Sequence, residues 1–128
     1  MIEPQSITVS LEWAKKLKEA GWKQIGFFWK TEKSGGITGW SGDTSKPPKE
    51  DLDWIAAPTA EEILRRLPHQ IVLETHPLFL QAMPDGDEWK IAYWTFRIEK
   101  GVWKNEDSLA NAAAAMWCYL EENNLLPS

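Results

Sequence analysis

Apolar residues between Val9 and Ala20 recur with the period of an α-helix and leave the charged residues on the opposite side. The apolar side consists of Val9, Trp13, Leu17 and Ala20. Thr8 precedes this segment and can cap its first turn. Gly21 follows it, where a glycine commonly ends a helix and brings Leu17 into contact with Trp22. The pattern therefore predicts an amphipathic first helix.

A second helix is predicted after Pro58, where Thr59 can act as the N-cap and Glu62 can complete a capping box. Its apolar side consists of Ala60, Ile63, Leu64 and Leu67. Its opposite side offers two pairs at i, i+4 spacing, Glu61 with Arg65 and Glu62 with Arg66. Pro68 is predicted to end this helix, because proline cannot continue it.

A third, longer helix is predicted near the end of the chain. Its apolar side consists of Leu109, Ala112, Ala113, Met116, Trp117 and Leu120. Asp107 or Ser108 is the candidate cap, and the helix is predicted to end near Asn123 or Asn124. Leu125 is then placed to contact the last apolar residue of the helix.

Branched and aromatic residues alternate with polar ones in the remaining segments, which predicts strands. The predicted strands are Gln24–Lys30, Leu52–Ala56, Ile71–His76, Leu78–Met83 and Glu88–Ile98. Residues 84–87 provide a turn between the last two, and Lys100 and Gly101 are predicted to turn the chain into a short segment containing Trp103. The pattern predicts an α+β fold: an antiparallel sheet of four to five strands with three helices packed mainly on one face.

The segment from about residue 31 to 50 is rich in glycine and proline and predicts a long loop. A loop of this length is functional, is mobile, or contains a short hairpin around Ile37 to Trp40. The chain of 128 residues is otherwise of the size of a single domain, which we expect to span residues 1–128.

The net charge of −5 argues against nucleic acid and anionic lipid as partners, because the average field of the protein repels them. Cys118 is the single cysteine, so neither an intramolecular disulfide nor a cysteine-based zinc site is expected. The longest apolar run, residues 112–120, is too short to span a bilayer, and residues 1–5 lack the pattern of a signal peptide. We therefore expect a cytoplasmic protein that does not bind membranes.

The segment Ala57–Pro68, which reads A-P-T-A-E-E-I-L-R-R-L-P, resembles a family of small uncharacterised proteins of phage, prophage and bacterial genomes. The amphipathic start of the chain and the closing segment Leu109–Leu126 share in this resemblance, which spans most of the chain. Asn111 departs from the family's pattern, which has an apolar or acidic residue there. The resemblance implies an α+β fold and a location in a bacterium or an infected one, and it carries no activity.

Candidate chemistry is sparse along the chain. No phosphate-binding glycine motif occurs, and no cofactor is predicted. Glu74 and His76 share one face of a predicted strand, but two residues do not define a metal site, and none is predicted. Catalytic residues are not predicted either. A small hydrolase using carboxylates or His76 remains an alternative, and it requires a deep pocket near that strand.

The chain contains nine tryptophans, and the predicted strand Glu88–Ile98 carries apolar residues on both of its faces. The tryptophans either fill the core or form a recognition surface. If all three helices pack on one face of the sheet, the other face requires a cover of its own. The predicted binding residues are Trp40, Trp94, Phe96 and Trp103. We predict that a protein partner covers this second face, and most specifically a second copy of the chain in a two-fold homodimer. One alternative is that the long loop folds over the face and covers it with Trp40. Another is that a sugar or single-stranded nucleic acid stacks on the tryptophans.

Overall fold

The computed structural model describes residues 7–32, 38–42, 44–48, 53–73, 75–95 and 98–126, with the backbone alone for residues 98–100. The helices are α1 (Leu11–Glu19), α2 (Ala60–Leu64) and α3 (Leu109–Glu122). The strands are β1 (Phe28–Lys30), β2 (Thr38–Trp40), β3 (Ile55–Ala56), β4 (Gln70–Leu73), β5 (His76–Asp85), β6 (Glu88–Thr95) and β7 (Ile98–Glu106). Among the described residues, no helix combines the length and the apolar character needed to cross a membrane.

Helix α1 ends as predicted, but its N-cap lies two residues later in the sequence than expected. The N–H of Trp22 donates to the carbonyl of Leu17 at 2.8 Å across Gly21, whose φ is +103°, so the expected C-terminal motif is present. The N-cap is Ser10, not Thr8. The N–H of Val9 donates to Pro58 at 3.1 Å, and this long-range contact keeps the chain extended before Ser10.

Helix α2 contains the predicted capping box. The Thr59 hydroxyl accepts from the N–H of Glu62 at 3.2 Å, and the Glu62 carboxylate accepts from the N–H of Thr59 at 3.1 Å. The Glu61–Arg65 pair forms at 2.7 Å. The predicted Glu62–Arg66 pair was wrong, because the cap uses the Glu62 carboxylate and the Arg66 guanidinium stacks 4.6 Å from the centre of the Trp22 ring.

Helix α3 is capped by Ser108, whose hydroxyl accepts from the N–H of Asn111 at 3.1 Å. It closes at Asn123, and Asn124 takes a positive φ of 55° that lets the N–H of Leu125 reach the carbonyl of Leu120 at 2.8 Å. Almost the whole helix is buried. Helix α3 is therefore the central element of the core, packed against α1, α2, β6 and β7.

The predicted α+β class is confirmed, with the strands divided between two antiparallel sheets. The larger sheet has the order β4-β5-β6-β7, and the smaller sheet has the order β2-β1-β3. Within the predicted loop, Thr38–Trp40 forms β2, which pairs with β1 before the loop, and Ile37 lies outside the described residues. The core lies between the helices and one face of the larger sheet, and the hydroxyl of Tyr93 on β6 ties this sheet to the end of α2 by donating to Pro68 at 2.7 Å.

The turns of the larger sheet correct two details of the prediction. Gly86 occupies the first of two residues between Asp85 and Glu88 with a φ of +63°, as a tight hairpin turn of the expected kind requires. Lys100 and Gly101, however, lie within β7 and do not turn the chain. The predicted strand Glu88–Ile98 is two strands, since β6 ends at Thr95 and Ile98 begins β7. Residues 96 and 97, between these two strands in the sequence, lie outside the described residues.

Candidate functional site

One face of the larger sheet carries the helices, and the strand register defines the side chains of the opposite face, which we call the outer face. Residues paired across antiparallel strands lie on the same face, and alternate residues along each strand share it. The outer face consists of Gln70, Val72, Pro77, Phe79, Gln81, Met83, Asp85, Glu88, Lys90, Ala92, Trp94, Gly101, Trp103 and Asn105. The three helices pack on the opposite face of the sheet, because the strand residues in the hydrophobic core all point to that face.

Large apolar side chains on the outer face are open to solvent. Trp103 is 59% exposed, Val72 55% and Phe79 48%. Their neighbour Ala92 is only 5% exposed, because it is paired with Trp103 on one side and Gln81 on the other. The strand β6 is thus shielded on its outer side by side chains of the adjacent strands.

Trp94 lies across the strand pair at Gly101. A Cβ added to Gly101 would come within 2.9 Å of Cδ1 of Trp94 and within 2.9 Å of the carbonyl oxygen of Tyr93. The indole therefore occupies the space that a side chain at position 101 would fill. Glycine at this position lets an aromatic ring lie over the neighbouring strand and extend the apolar surface.

The charge of the outer face is confined to the turn end of the β5–β6 hairpin. The register places Asp85, Glu88 and Lys90 there, and the other residues that define the face are uncharged. The Nζ of Lys90 lies 3.6 Å from Oδ2 of Asp85, at the end of the β5–β6 hairpin. Asp85 also accepts a hydrogen bond from Nδ2 of Asn105 at 2.7 Å. The charges are thus grouped at one end of the face, and the remainder of the face is uncharged.

A shallow concavity of about 280 Å³ opens on the outer face. It is lined by Gln81, Met83, Lys90, Ala92, Trp94 and Trp103. Ala92, the smallest side chain of the set, forms its floor, and the tryptophans flank it. An aromatic or branched side chain from another molecule would find apolar walls and an amide group here.

The structure brings together two of the predicted binding residues, Trp94 and Trp103. Trp40 belongs to β2 of the smaller sheet and is 63% exposed, so it does not plug the outer face. Phe96 lies outside the described residues. Phe79 and Val72 were not among the predicted binding residues. The sequence contained a signal for Phe79: Leu78, Phe79 and Leu80 are consecutive, so in a strand Phe79 must face the side opposite to its two apolar neighbours.

A second cleft of about 590 Å³ lies between α1, α3 and the end of β7. Lys16 lies 4.3 Å from the centre of the Trp13 ring and Lys104 lies 4.8 Å from the centre of the Tyr119 ring. Nε1 of Trp13 donates to the Glu106 carboxylate at 3.0 Å. The Trp13–Glu106 hydrogen bond therefore ties α1 to β7, and the contact of Lys104 with Tyr119 joins β7 to α3.

Cys118 also lines this second cleft, and its thiol is unsuited to act as a nucleophile. Burial raises the pKa of Cys118 to about 11, with the Glu122 carboxylate adding to the rise and the Lys16 ammonium opposing it. A nucleophilic cysteine requires a lowered pKa, because the thiolate is the reactive form. Cys118 behaves here as a small apolar residue of α3.

The residues proposed for hydrolase or metal chemistry are dispersed. His69 lines a third, open cleft of about 610 Å³ beside the Glu61–Arg65 ion pair. His76 is exposed at the start of β5 and lines none of the three clefts. Glu74 lies outside the described residues. Within the described part of the chain, no group of three or more His, Cys, Asp or Glu side chains is arranged to hold a metal ion.

Comparisons with protein-family models, curated proteins and solved structures found no match to this chain. The resemblance of Ala57–Pro68 to small phage and bacterial proteins therefore stays a prediction. What the outer face does has to be argued from its own residues.

Proposed function

We propose that this protein is a small accessory protein of phage or prophage type that acts by binding protein through its outer face. The proposal places it in the cytoplasm of a bacterium or of an infected one. The observation that carries it is a sheet face with exposed Trp103, Phe79 and Val72, whose few charges are confined to one end. Exposed apolar patches of more than a few hundred Å² commonly mark interaction sites.

The composition of the outer face favours protein over the other proposed ligands. Centres of protein interfaces are depleted in charge and enriched in aromatic residues and methionine, which is the composition found around Trp94, Trp103 and Met83. Single-stranded nucleic acid requires cations along its backbone, whereas Lys90 is already near Asp85. A sugar requires free polar groups beside the aromatic rings, and Asn105 already donates to the same carboxylate.

Site-specific photo-cross-linking tests the proposal. A benzophenone amino acid replaces Trp103 in one variant and Trp40 in a matched control, since both tryptophans are exposed but only Trp103 lies on the outer face. Each variant is irradiated both as purified protein and in a bacterial lysate. We expect position 103 to form a cross-link to one defined polypeptide, and position 40 to form none to that polypeptide.

The cross-linked polypeptide is then purified and its binding to the unlabelled protein is measured directly. Binding that is lost in Trp103→Lys and retained in Trp40→Lys supports the proposal. Equal cross-linking from both positions, or none from position 103, contradicts it. Quenching of tryptophan fluorescence by oligosaccharides that disappears in Trp103→Ala would instead favour the carbohydrate alternative.

A further inference from the structure

We propose that β7 pairs with an extended, basic segment of a partner protein, which adds a fifth strand to the larger sheet; this inference rests on the proposed function. The segment runs antiparallel to β7. Apolar side chains beside Trp103 alternate in it with lysines or arginines on the side of the helices. The free edge of β7, the cleft of about 590 Å³ beside it and the charges of that cleft support this assignment.

The strand register shows which backbone groups of β7 are bonded to β6. Asp85 and Glu88 close a two-residue turn and therefore form a hydrogen-bonded pair, so the even-numbered residues of β6 bond to β5. The N–H of Leu80 agrees with this pattern, because it points away from β6 and donates to the carbonyl of His69 at 2.9 Å. The odd-numbered residues of β6 then bond to β7, where their partners are the even-numbered residues.

The odd-numbered residues of β7 therefore present their N–H and C=O groups at the free edge of the sheet. They include Gly101, Trp103 and Asn105. β7 is the last strand of its sheet, and no backbone hydrogen bond from another described residue reaches these groups. The opposite edge is shorter, since β4 has four residues and β7 has nine. An unpaired edge of this length is a template for another strand.

The cleft of about 590 Å³ lies beside this edge, on the side of the sheet that carries the helices. Its lining includes Lys104 and Glu106 of β7 but no residue of β4, β5 or β6, so it opens past the edge. A strand about 4.8 Å beyond β7 would point every second side chain toward the cleft. Its other side chains would lie next to Trp103, which is 59% exposed on the outer face. One added strand would thus contact both sides of the edge.

The charges of the cleft favour basic side chains in the added strand. Four glutamates and two lysines line it, and both lysines lie over aromatic rings. Glu106 accepts a hydrogen bond from Trp13. The other three carboxylates, Glu19, Glu121 and Glu122, are exposed and make no ion pair with another described residue. They lie at the C-terminal ends of α1 and α3, where the helix dipoles also favour cations.

The net charge of the molecule favours a basic segment over a second copy of the chain. Each copy carries a charge of −5, so two copies repel one another, whereas a segment rich in lysine or arginine is attracted. Salt screens this attraction. The affinity of the segment should therefore fall as the salt concentration rises.

Fluorescence anisotropy of a labelled peptide tests the inference. The probe, Val-Lys-Val-Lys-Phe-Lys-Val-Lys-Val, has nine residues, the length of β7. In an antiparallel strand its apolar residues share a face with Trp103 and also carry the groups that bond to β7. N-methylation of the two valines nearest to the phenylalanine should therefore abolish binding, whereas N-methylation of the two lysines beside it should leave binding intact. The same peptide with glutamate in place of lysine should not bind.

Two variants at one position provide the matched control on the protein. Asn105→Pro and Asn105→Ala both lose the exposed hydrogen bond to Asp85, but only proline removes the N–H at the free edge. We expect Asn105→Pro to bind the peptide about tenfold more weakly than the wild type, and Asn105→Ala to match the wild type within about twofold. Thermal unfolding followed by circular dichroism shows that both variants fold.

A wild-type protein that does not bind the peptide overturns the inference, as does equal binding of the two methylated peptides or by the two Asn105 variants. A wild-type oligomer that Asn105→Pro dissociates also overturns it, since the edge then holds a second copy. A polypeptide that cross-links from position 103 equally with and without Asn105→Pro overturns this inference alone. Absence of any cross-link from position 103 overturns the proposed function, whether or not the peptide binds.

Discussion

Two tryptophans near the smaller sheet differ in what their indole N–H groups contact. Nε1 of Trp29 donates to the carbonyl of Gly26 at 2.9 Å in a buried hydrogen bond. Nε1 of Trp54 is buried without a hydrogen-bond partner, and the rings of Trp54 and Pro48 both lie close to Gly39. The same group is therefore satisfied at one position and desolvated without compensation at the other.

This difference predicts unequal effects of the same substitution. Trp29→Phe should lower the free energy of unfolding by about 1–2 kcal/mol more than Trp54→Phe, because it leaves the Gly26 carbonyl without its donor. Trp54→Phe removes a donor that has no acceptor, so its cost is limited to the smaller ring. Urea denaturation of both variants measures the difference, and equal losses would show that the hydrogen bond of Trp29 contributes nothing net.

At the scale of elements, Asn111 joins the starts of two helices. Its Oδ1 accepts from the N–H of Ser10 at 2.9 Å, and its Nδ2 donates to Asp107 at 2.9 Å. The residue is buried in the first turn of α3. An apolar side chain could replace neither contact and a carboxylate only the acceptor, whereas the amide supplies an acceptor and a donor together. Asn111 thus fixes where α1 begins relative to α3.

Replacing this amide should weaken the docking of the two helices. Asn111→Ala should lower the free energy of unfolding by about 2 kcal/mol, because the N–H of Ser10 loses its acceptor in a mostly buried site. Asn123→Ala is the matched control: it removes an exposed asparagine of the same helix, whose Nδ2 donates to Tyr119 at 2.8 Å. We expect the control to change stability by less than about 0.5 kcal/mol. Similar losses in the two variants would contradict this role of Asn111.

Local signals predicted the helices well, and long-range contacts account for the errors. The capping box at Thr59 and the stop at Gly21 lie within a few residues of the elements they bound. The choice of Ser10 over Thr8 depends on the contact of Val9 with Pro58, about fifty residues away in the sequence, which no local pattern contains. The prediction of a single sheet for the strand Gln24–Lys30 failed for the same reason, since strand order is not a local property.

The candidate site was predicted in part for a related reason. Trp94 and Trp103 were identified from their residue type, and the structure places both beside one concavity. Phe79 and Val72 required the register of β4, β5 and β6, which depends on where each hairpin turns. Trp40 was predicted to belong to the same binding surface. Its position in a predicted loop suggests that it is exposed, but the sequence does not show that it belongs to a second sheet.

At the scale of the whole molecule, two buried acidic groups, Cys118 and Tyr93, should each make stability fall with rising pH in the alkaline range. Lys30 contributes with the opposite sign, because burial lowers its pKa. Burial raises the pKa of Cys118 to about 11 and also raises the pKa of Tyr93. In the unfolded chain a thiol has a pKa of about 8.5, so above this pH the unfolded state loses its proton before the folded state does. The folded state then binds more protons than the unfolded one, and the free energy of unfolding decreases.

Cys118→Ala should make this decrease less steep between pH about 8.5 and about 11, because it removes one of the two buried groups. Tyr93 remains in the variant and should preserve part of the decrease. Urea denaturation of both proteins at a series of alkaline pH values measures the two slopes. Identical slopes would mean that the thiol of Cys118 does not resist deprotonation in the folded state.

The tight turn at Gly86 has a consequence for the order in which the fold assembles. Because two residues connect β5 to β6, the chain loses little entropy when this hairpin closes, and β7 follows directly in the sequence. The smaller sheet has to bring β1 together with β3, which lies beyond the long loop. We expect the β5–β6–β7 meander to form first during folding. Its aromatic face would then be exposed before the helices cover the other side.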